Sequence, residues 1–342
     1  MSVIAFGEID GKQVQQIHLK TASGAEASII SFGAILRDLL VPLKSGGKRR
    51  VVLGFEKPEG YLEGHSYIGA TCGRVGNRIA GGAFTLDGKP YSVTRNEAGR
   101  THLHGGKRGF SHRVWDVVDR KSDQVTLRIV SPDGEEGYPG KVEALCTYRL
   151  KDHGTIEVVL NATTDAPTLV NMCNHSYFTL LEDAEIWDHQ MEMAAPFYTP
   201  VDDALIPTGE ILSVAGTPFD FRKKRPIRFL QDGKPFDYDI NLVLGPLAPL
   251  GDAGDVAVRA TASDGKIMLE MATTEPGVQL YTGAGVHAGA AGIGGQRHFA
   301  HAGFCLEAQR FPDAVNHRHF AQATLRPGEH YHQVTEYRFQ AL

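Results

Sequence analysis

Apolar side chains recur at every second position in several short segments of the chain. Four such runs are Val125, Leu127 and Ile129; Ile156, Val158 and Leu160; Val256, Val258 and Ala260; and Ile267, Leu269 and Met271. A period of two places alternate side chains on opposite faces of a β-strand, so that one face is buried and the other is open. The pattern therefore predicts strands at these positions.

Turn residues separate these runs, and the chain contains 39 Gly and 17 Pro. Asp87 and Gly88 lie between two alternating segments, and glycine accommodates the positive φ of a tight hairpin turn. We predict a β-hairpin at this pair and a second turn at Asp232 and Gly233, which occur in the same tetrapeptide. No long segment has the i, i+3, i+4, i+7 spacing of an amphipathic helix.

This succession of short strands and turns favours an all-β fold, and we predict a large antiparallel β-sandwich with very little helix. The chain has no Ser/Pro-rich stretch, no block of like charges and no internal repeat that would mark a linker or a second unit. Protecting the edges of so many strands requires two layers, which favours one large sandwich over two small ones. We therefore expect a single domain spanning residues 1–342.

Composition and charge narrow the possible partners. Hydrophobic residues make up 42% and charged residues 22% of the chain, which is typical of globular proteins rather than of disordered or coiled-coil chains. The 35 basic and 40 acidic residues give a net charge of −5, so no basic excess is available for a phosphate backbone, and we expect no nucleic-acid partner. The longest uncharged apolar stretch, residues 242–250, is interrupted by Pro246 and Pro249, and we expect no membrane span.

Two features favour a cytoplasmic protein. Residues 1–8 have neither the basic segment nor the long apolar run of a signal peptide. The four cysteines are scattered without a C-x-x-C pair, which favours buried thiols over a disulfide framework. These cysteines are Cys72, Cys146, Cys173 and Cys305.

A glycine-rich segment and three pairs of histidines could mark a phosphate site and a metal site. Residues 285–295 include five glycines, but they follow no strand–helix unit, and we interpret them as a surface loop rather than a phosphate cradle. Histidines two residues apart share one face of a strand and could bind one zinc ion. No third ligand follows from the spacing, so surface histidines are the favoured interpretation. The pairs are His102 and His104, His317 and His319, and His330 and His332.

Two other segments are candidates for acid–base chemistry. His175 follows an apolar run and lies among polar and aromatic residues, and Glu307 lies within a segment that otherwise reads as an apolar strand. Burying a carboxylate is costly unless it is paired or used. Satisfied polar side chains are the alternative interpretation of both residues, and periodicity alone does not show whether the two meet.

Eight motifs, in order along nearly the whole chain, resemble those of the aldose 1-epimerase (galactose mutarotase) family. The residues are Gly73–Gly82 (GRVGNRIAGG), His102–Gly106 (HLHGG), Glu136–Gly140 (EGYPG), Asn174–Phe178 (NHSYF), Gly277–Gly283 (GVQLYTG), Cys305–Gln309 (CLEAQ), Phe311–His317 (FPDAVNH) and Leu325–Glu329 (LRPGE). Each motif alone is only moderately specific, but eight in the same order make a specific resemblance.

The resemblance implies a fold, an activity and a set of site residues. The fold would be one large antiparallel sandwich with the sugar in an open groove. The activity would be the interconversion of α and β anomers of aldohexoses such as glucose and galactose, without metal or cofactor. Glu307 would be the general base and His175 the general acid. The residues that would hold sugar hydroxyls are Asn77, Arg78, His104, Tyr177, Asp239 and Gln279. We expect a monomer, because nothing in the sequence suggests a self-complementary apolar patch.

The sequence departs from the family pattern in two places. Ile240 follows Asp239 where the family more often has His, and Asp237 is the alternative acidic residue two positions earlier. Residues 284–296 are rich in Ala and Gly and differ from the sequence usual in the family, which leaves the role of this loop open.

Two other functions and the sugar preference also stay open. A hexose 6-phosphate 1-epimerase would need a basic cluster, for which Lys223, Lys224, Arg225 and Arg228 are candidates. A non-catalytic sugar-binding protein of the same fold is the other alternative. The preferred sugar, whether galactose, glucose, a pentose or a deoxyhexose, is not predicted.

Overall fold

The computed structural model describes residues 2–62, 66–245, 256–287, 289 and 291–342. The apolar stretch at 242–250 therefore extends outside the described residues, as do positions 288 and 290 of the Gly/Ala-rich loop.

The largest sheet has nine antiparallel strands. In spatial order they are Asp116–Arg120, Gln124–Ser131, Val142–Leu150, Ile156–Thr164, Tyr331–Ala341, Ile267–Thr273, Val258–Thr261, Gln190–Met193 and Arg225–Pro226. In Gln124–Ser131 every second side chain is buried, as the apolar alternation predicts. The predicted strands are confirmed, except that the run starting at Val256 begins its strand only at Val258.

Two smaller sheets complete the layers. The six-stranded sheet consists, in spatial order, of Tyr177–Phe178, Phe304–Gln309, Gly277–Tyr281, Asp239–Val243, Phe197–Thr199 and Leu212–Ser213. The five-stranded sheet consists of Ser2–Ile9, Lys12–Lys20, Glu26–Ile30, Ile35–Pro42 and Lys48–Arg50.

The inner faces of the three sheets share one hydrophobic core. Leu127 from the nine-stranded sheet, Leu36 from the five-stranded sheet and Leu280 from the six-stranded sheet are all fully buried in the same cluster. Burying one such side chain contributes about 1.5–3 kcal/mol, so this contact between layers is a major stabilising element. The arrangement confirms the predicted antiparallel β-sandwich.

The described residues also form five short two-stranded ladders outside these sheets. They pair Thr71–Cys72 with Cys173–Asn174, Arg78–Ile79 with His102–Leu103, Ala83–Leu86 with Lys89–Ser92, Thr168–Leu169 with Thr324–Leu325, and Leu230–Gln231 with Lys234–Pro235. Asp87 and Gly88 have φ of 50° and 78°, as a tight primed hairpin turn requires. Asp232 and Gly233 have φ of 52° and 76° in the other predicted turn, so both turn predictions are confirmed.

Helical structure is limited to eight 3₁₀ turns within the described residues. They are Pro58–Tyr61, Ala80–Gly82, Phe110–His112, Glu135–Gly137, Asp152–Gly154, Ile186–Asp188, Ile293–Gly295 and Ala314–Asn316. None of the helices in this part of the chain has the length and apolar character needed to cross a membrane.

Candidate active site

The outer face of the six-stranded sheet forms the floor of the site. In Phe304–Gln309, Leu306 packs into the core, so Glu307 must project from the opposite face, and all six residues are buried. Gln279 lies directly opposite Glu307 on the neighbouring strand, and Asn241 lies opposite Gln279. Polar side chains thus form a row across a buried sheet face.

A backbone hydrogen bond and a strand pairing bring His175 over this floor. The backbone N–H of His175 donates to Ala70 O at 2.8 Å, and Tyr177 pairs with Cys305 beside Glu307. As a result, Nε2 of His175 lies 3.5 Å from Oε1 of Glu307. The two predicted acid–base residues therefore meet, which their separation in sequence could not reveal.

Asn77 and His104 form one wall, and each holds the other. His104 N donates to Asn77 O at 3.0 Å, and Asn77 N donates to His104 Nδ1 at 3.1 Å. Both residues have positive φ, 57° and 49°, an uncommon conformation that is frequent at functional sites. Gly105 follows with φ of 84°, and a Cβ there would lie 1.7 Å from Gly73 O, so only glycine fits this turn.

The contact with Asn77 determines which nitrogen of His104 carries the proton. Because Nδ1 accepts the Asn77 N–H, the proton of the neutral ring lies on Nε2. Burial lowers the pKa of His104 well below its ordinary value, and the neighbouring His175 lowers it further. His104 is therefore a neutral, fixed hydrogen-bond donor.

Arg78 is held by two acidic side chains. Its Nε and NH2 donate to the two carboxylate oxygens of Glu97, each at 2.8 Å, and NH1 lies 3.6 Å from Asp239 Oδ2. Thr101 also donates to Glu97, at 2.6 Å. Burial opposes charge on both partners, but these bonds raise the pKa of Arg78 and lower that of Glu97, so both stay charged.

Asp239, rather than Asp237, belongs to the site. Gln279 Nε2 donates to Asp239 Oδ1 at 2.6 Å, and Asp239 lies on the cavity wall. Asp237 instead lies 3.6 Å from His301 and is mostly exposed. Gln279 itself is buried beside Asp239 and does not line the cavity, so its predicted contact with a sugar hydroxyl stays a prediction.

Above the floor is an open cavity of ≈ 370 Å³, within the range of small-molecule sites. All the predicted site residues except Gln279 line it. Sequence reasoning missed the other lining residues, which are Ser66, Tyr67, Asn96, Glu97, Ala98, Leu103, Tyr281 and Gly285. Of these, Leu103 and Tyr281 carried a signal, because they lie within the motifs His102–Gly106 and Gly277–Gly283.

Burial determines the protonation of the central pair. Burial and the charge of Asp239 raise the pKa of Glu307 to about 8, against opposing contributions from Cys173 and Arg78. Burial lowers the pKa of His175 to about 4. Near neutral pH the pair therefore holds one exchangeable proton and no net charge, which suits transfer of a proton between two oxygen atoms of a ligand.

Two groups of described side chains in and beneath the cavity place potential metal ligands within 4.8 Å of one another. They are Cys72, His104 and Cys173, and His104, His175 and Glu307. Both need His104, whose Nδ1 already accepts the Asn77 N–H and whose other nitrogen therefore carries a proton. Burial raises the pKa of Glu307 and of the Cys72 thiol, and the hydrogen bond with Cys72 together with burial raises that of Cys173, so the donors retain protons. The donor set fits proton chemistry better than a cation.

Two histidines from the candidate metal-binding pairs, His102 and His319, have other contacts. The ring nitrogens of His102 lie 2.6 Å from Thr94 O and 2.6 Å from Tyr138 OH. Nε2 of His319 lies 2.7 Å from Gly209 O. His102 therefore supports the short strand that precedes His104 rather than sharing a ligand with it.

Comparisons with known proteins agree with this geometry. The family described as aldose 1-epimerase matches residues 15–338. The chain is 42% identical to galactose mutarotase from Rattus norvegicus over 339 residues, covering 98% of this chain and 97% of the rat protein. It is 36% identical to aldose 1-epimerase from Escherichia coli strain K12 over 340 residues, covering 97% of each.

Solved structures show the same likeness. An aldose epimerase homologue from C. elegans has a TM-score of 0.88 at 31% identity, covering 96% of this chain and 99% of that one. Galactose 1-epimerase from Lactobacillus acidophilus has a TM-score of 0.82 at 26% identity, covering 99% and 98%. By sequence and by fold, the chain belongs to the aldose 1-epimerase family.

Proposed function

We propose that the protein is a mutarotase that interconverts the α and β anomers of free aldohexoses such as D-glucose and D-galactose. The observation that carries the proposal is the 3.5 Å separation of His175 Nε2 and Glu307 Oε1 beside an open cavity. The two oxygens that exchange protons in mutarotation, O1 and O5, are bonded to the same carbon. An acid and a base that serve them must therefore lie side by side, as these two groups do.

The reaction uses the single proton of the pair. The shared proton first moves from Glu307 to Nε2 of His175. The carboxylate of Glu307 then takes the O1 proton while the imidazolium of His175 donates its Nε2 proton to O5, and the C1–O5 bond breaks to give the aldehyde. The pair then consists of a carboxylic acid and a neutral imidazole. Rotation about C1–C2 exposes the other face of the carbonyl, and the reverse transfers close the ring to the other anomer. No hydride, electron or phosphoryl group moves.

The walls suit this sequence of steps. The Nε2–H of His104 is a neutral donor for negative charge that develops on an oxygen of the sugar. Arg78 and Asp239 offer a donor and an acceptor to hydroxyls away from C1. The open cavity leaves room for the aldehyde to rotate, which a close-fitting pocket would hinder.

Charge in the cavity favours a neutral sugar over a hexose 6-phosphate. Of the described residues that line the cavity, Arg78 is the only Lys or Arg, and Glu97 occupies two of its nitrogens. The basic segment 223–228, the candidate phosphate site, does not line the cavity. Arg225 within it donates to the backbone oxygens of Pro226 and Asp220. His175 and Glu307 are both present and lie in contact, which favours catalysis over sugar binding alone.

Polarimetry tests the proposal. Freshly dissolved α-D-glucose, α-D-galactose and α-D-glucose 6-phosphate are followed with and without protein, in the presence of a chelator. We expect faster decay to the same final rotation for the neutral sugars and little acceleration for the phosphate. Acceleration of the phosphate alone would replace the proposal with the phosphate epimerase, and binding without acceleration would replace it with the binding protein.

We also propose that residues 1–342 act as one domain and as a monomer in the cytoplasm. A core cluster shared by all three sheets supports the single domain. Four free, buried thiols support a reducing compartment. One cooperative unfolding transition and a sedimentation mass of one chain are expected; two transitions or a dimer mass would contradict the proposal.

A further inference from the structure

Each member of the central pair has a cysteine sulfur beside the atom that faces away from its partner. Sγ of Cys305 lies 3.6 Å from Nδ1 of His175, and Sγ of Cys173 lies 3.4 Å from Oε2 of Glu307. All four side chains are buried. Each cysteine lies two residues before one member of the pair in sequence and contacts the other member.

The contact with Cys305 matters for the choice of proton-exchanging nitrogen. In the mechanism above His175 donates and accepts at Nε2, so Nδ1 must keep its proton throughout. The imidazole hydrogen-bonds its own backbone, and the sulfur of Cys305 is a second, weak acceptor for Nδ1–H. Tyr177 hydrogen-bonds the same sulfur and pairs with Cys305 across the sheet, which holds that sulfur in place.

The contact with Cys173 determines in the same way which oxygen of Glu307 exchanges a proton. The thiol donates to Oε2, which leaves Oε1 as the oxygen facing Nε2 of His175. Cys173 lies opposite Cys72 on the paired strand and is also hydrogen-bonded to it. This bond and burial raise the pKa of Cys173, and burial raises that of Cys72, so both thiols stay protonated. Neither Cys173 nor Cys305 lines the cavity, so neither is placed to touch the sugar.

We propose that Cys305 and Cys173 are positioning residues that confine the mobile proton to Nε2 of His175 and Oε1 of Glu307. This inference rests on the proposed function. The other titratable groups that face the pair are Asp239, Arg78, His104, Tyr67, Tyr177, Tyr281 and Cys72. They are unchanged in the variants below and therefore cancel in the comparison.

The test is the pH dependence of anomer exchange in cysteine variants. The rate should fall on the alkaline side of the profile where Glu307 loses its proton, and on the acidic side where His175 gains one. Cys173→Ala removes a donor to Glu307, so the alkaline limb should move to higher pH by as much as about one pH unit. Cys173→Ser supplies a stronger donor and should move the same limb to lower pH. Cys305→Ala removes an acceptor from the imidazolium, so the acidic limb should move downward. Cys146→Ala is the matched control, because Cys146 is buried in the core of the nine-stranded sheet and should move neither limb.

Limbs that stay in place in folded Cys173 and Cys305 variants, or that move equally in Cys146→Ala, would overturn the proposal. Titration of the His175 ring by ¹⁵N NMR separates this outcome from failure of the proposed function, because it requires no activity. We expect the neutral ring to carry its proton on Nδ1; a proton on Nε2 would contradict the proposal even in an active enzyme.

Discussion

Arg78 and Glu97 form a two-bond ion pair on the cavity wall, with both N–O distances at 2.8 Å. The pair determines how much positive charge is available to a ligand, because Glu97 already occupies two nitrogens of the guanidinium. Neither the spacing nor the alternation of the sequence marked Glu97 as part of the site.

We expect Glu97→Gln to raise KM for glucose about tenfold with little change in kcat, because Arg78 loses the anion that orients it. The same change should raise the relative activity toward glucose 6-phosphate, since the guanidinium becomes available to an anion. Steady-state polarimetry of both sugars checks this. Asp87→Asn is a suitable control, because Asp87 forms a similar but exposed pair with Arg326. Equal sugar preference in Glu97→Gln and wild type would contradict the assignment.

His175→Asn should lower kcat by about 10²–10⁴-fold with KM nearly unchanged, because the acid is lost while the cavity keeps its shape. His189→Asn is the matched control: His189 is equally buried, its pKa is also lowered to about 4 by burial, and it does not line the cavity. A loss of activity that appeared only in KM would make His175 a binding residue instead.

The pH dependence of kcat/KM should be bell-shaped, with limbs near pH 4 and pH 8. Below about 4 His175 binds a second proton and the pair can no longer accept one. Above about 8 Glu307 loses the shared proton and the pair can no longer donate. Rates corrected for spontaneous mutarotation give the profile. An acidic limb near 6.5, the value of an exposed histidine, would contradict the buried environment.

Glu275 should make stability depend on pH without affecting catalysis. Burial raises its pKa from 4.5 to about 7, so the folded protein holds a proton that the unfolded chain releases. The contribution of Glu275 to the free energy of unfolding should therefore be largest below about pH 4.5 and fall as pH rises to about 7. This loss amounts to about 3 kcal/mol. Urea unfolding at pH 4.5 and pH 8 gives the free energy of unfolding at each pH, and Glu275→Gln should reduce the difference between the two values. An equal difference in the variant and the wild type would contradict the assignment.

Alternation predicted the strands well where one face is apolar. Val125, Leu127 and Ile129 lie on the buried face of their strand, whereas the polar Thr126 and Arg128 between them face outward. The same rule is uninformative for Phe304–Gln309, where both faces are buried and Glu307 is distinguished only by its charge. Sequence reasoning identified Glu307 as unusual but could not place its partner.

Contacts between residues on different loops could not be predicted from the sequence. His102 and His104 share a strand-like spacing that suggested a common ligand, yet the positive φ of His104 turns its ring toward Asn77. The cysteines also carried no signal, because buried thiols are common in apolar segments. Their contacts with His175 and Glu307 depend on strand pairings between distant segments.

The most direct test of the central claim is the anomer-exchange rate of Glu307→Gln compared with Glu275→Gln, measured by polarimetry of α-D-glucose. Both substitutions replace a buried carboxyl whose pKa burial raises, but only Glu307 contacts His175. We predict that Glu307→Gln loses about 10²–10⁴-fold in kcat with sugar binding retained, and that Glu275→Gln keeps wild-type activity. Wild-type activity in folded Glu307→Gln would contradict the account.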